Sequence, residues 1–213
     1  MKHVHSIIIL CMFVFFAVSF VGPNPAVAAS AAEISRDAAN SLQKLYAKSS
    51  AAKAMSEKAK AILKASDIVF VNGGDVEEGM RVLDEREMSG FLRRLYRSGK
   101  PFLGVSAGSI MLARKWVCWR DPDNDESAET FSCLGLAPIL CDTHGEGERW
   151  DELKALLTLS PMGAIGHGIP SGTAIVVEPD RTLSVLGGEV DRFRKRTIGI
   201  VQIKGLVPDK NAQ

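Results

Sequence analysis

Residues 101–108 of the chain, Pro-Phe-Leu-Gly-Val-Ser-Ala-Gly, decide how the rest of the sequence is interpreted. Residues 101–105 have the apolar character of a buried strand, and residues 109–117 have the periodicity of a helix. Where the two meet, residues 104–108 form the pattern Gly-x-Ser-x-Gly, whose small residues let strand and helix approach closely around a sharp turn. The stretch predicts a serine nucleophile, Ser106, at the carboxyl edge of a sheet. A serine that only caps the helix is the alternative.

Strands alternate with helices over residues 65–207. The predicted strands are 67–71, 101–105, 137–141 and 197–203, the predicted helices are 76–97, 109–117 and 149–157, and a hairpin is predicted at 174–177 and 183–186. This alternation is typical of an α/β domain with a mainly parallel sheet, which here ends in an antiparallel edge.

A serine nucleophile needs a base, and beyond residue 28 the sequence contains only two histidines. His144 follows the predicted strand 137–141. This places His144 at the carboxyl edge of the sheet, where Ser106 is also predicted to lie. His167 lies in a predicted turn ahead of the hairpin. The sequence therefore favours His144 as the base.

A catalytic triad also needs an acid that orients the histidine and stabilises its charged form. Acidic residues are concentrated at 121–129, between the serine and the histidine in the chain. One of them would complete a triad in the order serine, acid, histidine, although such a run is also typical of a solvated loop. The short separation of serine and histidine does not fit an α/β-hydrolase of the usual layout.

These motifs are similar to those of the dipeptidase E/cyanophycinase family of serine peptidases, whose fold is like that of class I glutamine amidotransferases. The resemblance covers about residues 65–205 and rests on five stretches: IVFVNGGD at 68–75, GVSAG at 104–108, FSCLGL at 131–136, DTH at 142–144 and GIPSGTA at 168–174. It implies a three-layer α/β domain with a mainly parallel sheet.

The resemblance also implies roles for individual residues. Ser106 corresponds to the nucleophile and His144 to the base, and the backbone amides of Gly74 and Ala107 would form the oxyanion hole. The acid of dipeptidase E-like members corresponds to Asp121. In cyanophycinase-like members the acid lies slightly later in the chain, so three further residues remain candidates for the triad acid, namely Asp125, Glu126 and Glu129.

Residues 1–28 have the composition of a signal peptide. A lysine stands at position 2, an uncharged apolar run covers 7–21, and Ala-Val-Ala at 26–28 offers a cleavage site. The apolar run is shorter than the ~20 residues that span a bilayer, which disfavours a membrane anchor. We therefore expect export, to the periplasm or out of the cell.

Residues 29–64 are predicted to be an α-helical N-terminal extension, and residues 37–62 resemble the opening of the SYLF lipid-binding family. In the peptidase family, further strand–helix units precede the strand at 67–71, and the resemblance does not extend to them. We expect an N-terminally truncated peptidase-like domain at 65–207. Generic amphipathic helices that cover the sheet are the alternative for residues 29–64.

Composition excludes several classes of protein. The chain has 213 residues, 46% hydrophobic and 24% charged, unlike a disordered, collagen-like or multi-span membrane chain. A net charge of +1 gives no attraction to nucleic acid or anionic lipid. The histidines and the three cysteines beyond residue 28 (Cys118, Cys133 and Cys141) lack metal-site spacing, so we expect neither a metal nor a cofactor. The disulfide state and the oligomeric state stay open.

The sequence therefore favours a serine-type peptidase that hydrolyses small peptides through an acyl-enzyme at Ser106. The alternative is a catalytically impaired relic or binding module of the same fold. Lipid association through the helical segment is a variant of that alternative, although the mixed charges of the segment disfavour a basic membrane-binding face.

Overall fold

The structure, a computed structural model, describes the backbone of residues 7–10 and 50–208 and the side chains of residues 56–208. The helices in the described part are α1 (Ser50–Ala65), α2 (Val76–Glu85), α3 (Met88–Arg97), α4 (Ala107–Leu112) and α5 (Asp151–Thr158). The strands there are β1 (Ile7–Leu10), β2 (Val69–Val71), β3 (Phe102–Val105), β4 (Lys115–Trp119), β5 (Ala128–Ser132), β6 (Leu140–Thr143), β7 (Ile165–Ile169), β8 (Ala174–Val177), β9 (Leu183–Leu186), β10 (Val190–Arg196) and β11 (Gly199–Leu206). No helix of this part is long and apolar enough to cross a bilayer.

Helix α1 belongs to a different compact unit from the sheets. Its 16 residues are rich in alanine, and Glu57 and Lys60 form an ion pair at 2.8 Å along its surface. The helical prediction for residues 29–64 is confirmed from residue 50 onward. Residues 29–49, and with them the first half of the SYLF-like stretch 37–62, lie outside the described residues.

The first sheet has the strand order β2-β3-β1-β8-β9. The strands β2, β3 and β1 are parallel, whereas β8 runs antiparallel to β1 and β9 antiparallel to β8. Apolar side chains hold the sheet in the interior, since Phe102, Ile175 and Val177 are almost completely buried. Ser106 directly follows β3, so the parallel part of this sheet positions the predicted nucleophile.

Strand β1 occupies the middle of that sheet, although residues 7–10 fall within the predicted signal peptide. Ile7 pairs with Phe102 on one side and with Val177 on the other. A buried strand and the apolar core of a signal peptide have the same composition, so the sequence pattern suits both. Cleavage of a leader at residue 28 would remove β1 from the sheet. A mature chain therefore cannot both lack residues 1–28 and contain β1. The leader and export stay predictions.

The second sheet has the order β11-β10-β7-β6, and β4 and β5 form a separate hairpin. Only β6 and β7 are parallel in this sheet. The expectation of a mainly parallel sheet thus holds for the strands next to the site, while antiparallel pairs are more numerous over the described strands. The reason is the short turns that join β8 to β9 and β10 to β11, because neighbouring strands joined by a tight turn must run antiparallel.

Several predicted elements have different bounds in the structure. The predicted helix 76–97 is divided into α2 and α3 at Glu87, which has a φ of 55°. The predicted helix 109–117 ends at Leu112 and is followed by β4, whose residues Trp116, Val117 and Trp119 are aromatic or β-branched and favour a pleated strand. Strand β10 was not predicted, because its many charged residues conceal the buried positions Val190 and Phe193.

Helix α5 packs on the second sheet through a continuous apolar face. Leu153, Leu156 and Leu157, at helical spacing, are completely buried. A Cβ atom at Gly166 of β7 would lie 2.8 Å from the Cδ1 atom of Leu153, so any larger residue there would displace the leucine side chains of α5. The packing holds β6 and β7 together below the loop that carries His144.

We expect a chain that begins at residue 29 to lose the cooperative unfolding transition of the full chain, because β3 and β8 would expose unpaired edges in the centre of the sheet. Urea unfolding monitored by tryptophan fluorescence measures this. Replacement of Ile8 by proline in the full chain removes one hydrogen-bond donor from the β1 ladder, so this variant should unfold at a lower urea concentration than the full chain. Identical unfolding curves for all three chains would contradict the central position of β1.

Candidate active site

Ser106 lies in a strained turn between β3 and α4. Its φ of 53° and ψ of −129° are values that a side-chain-bearing residue rarely adopts. Two glycines make the turn sterically feasible. A Cβ atom at Gly104 would lie 2.7 Å from the carbonyl oxygen of Gly108, and a Cβ atom at Gly108 would overlap the carbonyl oxygen of Val71. The local geometry predicted from Gly-x-Ser-x-Gly is therefore confirmed.

His144 follows β6 and reaches the serine. Its Nε2 atom lies 2.7 Å from the Oγ atom of Ser106. The backbone N–H of His144 donates to the carbonyl oxygen of Ile169 at 3.0 Å, which fixes the loop to the end of β7. The predicted contact between nucleophile and base is present, with a heavy-atom distance suited to proton transfer.

The second histidine belongs to a different part of the molecule. His167 lies within β7 rather than in a turn, and it is only 5% exposed. Its Nδ1–H donates to the carbonyl oxygen of Leu140 at 3.2 Å. Burial lowers its pKa to about 4, so the ring is neutral at physiological pH. Geometry thus decides between the two histidines in favour of His144 as the partner of Ser106.

The two predicted oxyanion-hole residues lie beside the serine. Gly74 and Ala107 line the same cavity of about 220 Å³ as Ser106 and His144. Ala107 is the first residue of α4, so its amide is free of helical hydrogen bonding. A Cβ atom at Gly73 would lie only 3.0 Å from the Cβ atom of Ser106, which shows how closely this loop approaches the nucleophile. The arrangement suits a pair of amides around a developing oxyanion.

The predicted acid is not brought to this cavity. Asp121 lies in an exposed turn, where its Oδ1 atom accepts a hydrogen bond from the backbone N–H of Asp123 at 3.1 Å. The turn joins β4 to β5 and is directed by the pairing of those strands. Asp121 is not among the described residues that line the cavity. The assignment of Asp121 as the triad acid lacks geometric support.

The three alternative acids do not line the cavity either. Asp125 and Glu126 begin a short 3₁₀ turn, Asp125–Ser127, which is largely exposed. Glu129 of β5 binds the guanidinium of Arg120 through two hydrogen bonds at 2.8 and 2.5 Å. These bonds lower the pKa of Glu129 and hold its carboxylate on the hairpin.

Other carboxylates, which the sequence analysis missed, surround His144. Asp142, Glu148 and Glu152 line the cavity. Glu146 is adjacent, and its Oε1 atom accepts hydrogen bonds from the backbone N–H and the Oγ–H of Ser171, at 3.1 and 2.8 Å. The sequence signal for this group was the acid-rich stretch directly after His144.

The electrostatics of these groups are coupled to the histidine. Partial burial raises the pKa of the Glu152 carboxyl, and the negative charges of Glu148 and Asp75 raise it further, while His144 lowers it. For Glu146, partial burial is outweighed by the hydrogen bonds to its carboxylate and by His144, so its pKa is lowered. Both carboxylates therefore interact favourably with a positive charge on the imidazole.

Asp142 is a buried carboxyl at the floor of the cavity, 5% exposed. Burial raises its pKa to about 7, and the negative charges of Glu152, Glu148 and Glu146 act in the same direction. The backbone N–H of Thr143, which donates to Oδ1 at 2.7 Å, opposes this by stabilising the carboxylate. At neutral pH the group is therefore partly protonated.

The cysteines take no part in this site. Cys118 is half-buried, Cys133 and Cys141 are buried, and all three are free thiols. Burial raises the pKa of Cys133 to about 12 and raises that of Cys141 further. Such thiols are protonated at neutral pH and are poor nucleophiles. No group of three potential metal-binding side chains is found in the part of the chain that the structure describes.

Comparison with known proteins relates this geometry to a family. A family model described as "Peptidase family S51" matches residues 17–185. Peptidase E of Streptomyces coelicolor strain A3(2) is 32% identical over 147 residues, which are 63% of this chain and 58% of that protein. The pyridoxal 5'-phosphate synthase subunit PdxT of Bacillus cereus strain G9842 is 26% identical over 131 residues, 62% of each chain. The chain thus spans about three fifths of the length of these curated relatives.

Two crystal structures share the fold. One is a peptidase from an acI-B1 Actinobacterium, with a TM-score of 0.50, 19% identity, and coverage of 70% of this chain and 62% of that chain. The other is a candidate Peptidase E protein from Listeria monocytogenes EGD-e, with a TM-score of 0.52, 14% identity, and coverage of 86% and 98%. With the family match over residues 17–185, these findings confirm the resemblance inferred from the motifs: the chain belongs to peptidase family S51 and has a class I glutamine amidotransferase-like fold.

Proposed function

We propose that the chain is a serine-type peptidase that hydrolyses small peptides. The observation that carries this proposal is the 2.7 Å contact between the Oγ atom of Ser106 and the Nε2 atom of His144 at a strained strand-to-helix turn. A strained backbone that presents a hydroxyl to an imidazole in an open cavity is typical of a nucleophile and its base. Membership of a peptidase family supports the same reaction class.

The reaction would follow from the positions of these groups. The Oγ atom of Ser106 attacks the peptide carbonyl carbon as its proton passes to the Nε2 atom of His144. The amides of Ala107 and Gly74 stabilise the resulting oxyanion. The C–N bond breaks as His144 returns the proton to the leaving amine. A water that His144 deprotonates then attacks the acyl carbon, the ester bond to the Oγ atom of Ser106 breaks, and His144 returns that proton to Oγ.

The carboxylates beside His144 would stabilise the imidazolium that forms during each step. Glu152 lines the cavity and interacts with His144 through its charge, whereas Asp121 lies in the exposed turn of the β4–β5 hairpin. We infer that Glu152 and Glu146, which both interact with His144 through their charges, supply the negative charge that the family motifs assigned to Asp121. The pair would act through charge–charge attraction, which depends on the distance between the charges rather than on a hydrogen-bond angle.

The charge around the nucleophile also favours one kind of substrate. The cavity that contains Ser106 adjoins a larger one of about 500 Å³, and Glu152 lines both. The larger cavity is bordered by further acids and by two tryptophans, namely Asp75, Glu77, Asp125, Trp116 and Trp119. Among the described residues, neither cavity is lined by a lysine or an arginine. The acidic residues give both cavities a negative electrostatic potential. A peptide with a positive charge near its scissile bond is the substrate that fits this potential best.

Replacement of the nucleophile tests the proposal directly. We expect Ser106→Ala to reduce the hydrolysis of small peptides at least about a thousandfold, because the members of a serine–histidine unit act together. A ninhydrin assay of released amino acids measures this, and labelling by a fluorophosphonate should disappear in parallel. Ser184→Ala, at an exposed position of β9, is the matched control and should retain full activity. Unlabelled, well-folded wild-type protein would instead indicate the catalytically impaired relic.

The two assignments of the acid predict opposite results. We expect Glu152→Gln to lower kcat about tenfold, equivalent to ~1.4 kcal/mol of transition-state stabilisation, because a charge beside the imidazolium is lost. Asp121→Asn, an equivalent carboxylate-to-amide change, should leave kcat within about twofold, because solvent and salt screen a charge in that turn. The reverse outcome, a large loss with Asp121→Asn alone, would restore the assignment made from the motif.

Substrate charge gives a further prediction. In a series of dipeptides that differ only in the first side chain, we expect kcat/KM for lysine to exceed that for aspartate by about tenfold. The ratio should fall as salt is added and in Glu77→Gln, which removes one of the bordering charges. A preference for the aspartyl dipeptide that persists in this variant would show that residues outside these two cavities select the substrate.

A further inference from the structure

A third cavity lies at the end of β6 and β7 where these strands begin, and it shares no lining residue with the two cavities described above. It has a volume of about 480 Å³ and is formed where β6 and β7 begin, whereas His144 follows the end of β6. Its walls include the apolar residues Ile139, Leu140 and Leu183. The proposed peptidase chemistry does not use this space.

The charged residues of this cavity are all basic. Arg114, Arg181 and Arg192 line it, and no acidic residue is among its described lining residues. None of the three arginines forms an ion pair with an acid of residues 56–208. Three guanidinium groups around one cavity repel each other in the absence of a counter-charge.

Arg192 is held towards the cavity by the sheet. It is the antiparallel partner of His167, so both side chains extend from the same face of the sheet. The Nη1 atom of Arg192 donates a long hydrogen bond of 3.5 Å to the carbonyl oxygen of Lys204. Its Nε atom is buried and has no hydrogen-bond partner among residues 56–208. A buried donor of a charged group without an acceptor is unfavourable, and an acceptor in the cavity would satisfy it.

His167 adds a neutral polar group to the same wall. Because its Nδ1–H donates to the carbonyl oxygen of Leu140, its Nε2 atom is left as a hydrogen-bond acceptor. The buried ring is uncharged near neutral pH. The positive charge of the cavity therefore comes from the arginines. The Nε2 atom of His167 can accept a hydrogen bond from a protonated oxygen of a ligand.

We propose that this cavity binds a small oxyanion, a phosphate or carboxylate compound, through Arg114, Arg181 and Arg192. Guanidinium groups bind both anions through paired, charge-assisted hydrogen bonds, and the fork of donors on Arg192 includes the unsatisfied Nε–H. The volume is within the range of small-molecule sites, about 300–1,000 Å³. The inference stands apart from the peptidase proposal, because it shares no residue with the Ser106 cavity.

Isothermal titration calorimetry of the full chain tests this site, with inorganic phosphate and citrate as separate probes and sodium chloride of equal ionic strength as the baseline. We expect saturable binding of at least one probe, weakened about tenfold in Arg192→Gln and in Arg181→Gln. Arg196→Gln is the matched control, because this exposed residue ends the same strand and does not line the cavity. Its affinity should stay within about twofold of wild type.

The outcomes separate the alternatives. Binding of phosphate alone identifies a phosphate site and binding of citrate alone a carboxylate site, and each supports the proposal. Absence of saturable binding of both probes, or equal weakening by Arg196→Gln, would overturn it. If Arg192→Gln does not fold, Arg181→Gln decides, because Arg181 lies in an exposed turn. Ser106→Ala should bind the oxyanion like wild type, so failure of the peptidase proposal leaves this result unaffected.

Discussion

The close approach of α4 to β2 is the constraint on which the rest of the site depends. At Gly108 a side chain would overlap the carbonyl oxygen of Val71, so the helix rests directly on the strand. The chain must then turn sharply at Ser106 to enter the helix, which costs ~1–3 kcal/mol of backbone strain. Burial of α4, including Leu112 at 0% exposure, offsets that strain. The same turn directs the Oγ atom of Ser106 towards His144.

Charge is separated along β6 and β7. Carboxylates surround the loop at the end of β6, and arginines surround the cavity where these strands begin. The whole chain has 26 basic and 25 acidic residues, so its overall charge of +1 conceals both the negative and the positive local field. Each field is local, because water and salt screen exposed charges beyond about 10 Å. One small α/β unit can thus present a cation-attracting and an anion-attracting surface at once.

Local features were predictable where a short stretch contains its own geometric reason. The Gly-x-Ser-x-Gly turn, the position of His144 after a strand and the hairpin of β8 and β9 are of this kind. The sequence was less informative where pairing with a distant strand decides the outcome. The acid-rich loop joins the paired strands β4 and β5, and Asp121 is not among the described residues that line the cavity of Ser106. Strand β1 takes its place only because β3 and β8 lie on either side.

The sequence by itself identified Ser106 and His144 as the candidate nucleophile and base and indicated the family, because each of these residues lies in a short motif that directly follows a strand. Only the tertiary structure decided which carboxylates face His144 and which strand fills the centre of the sheet. It also brought three arginines from separate segments to one cavity. Such arrangements depend on contacts between segments far apart in the chain, and no local pattern encodes the distance between them.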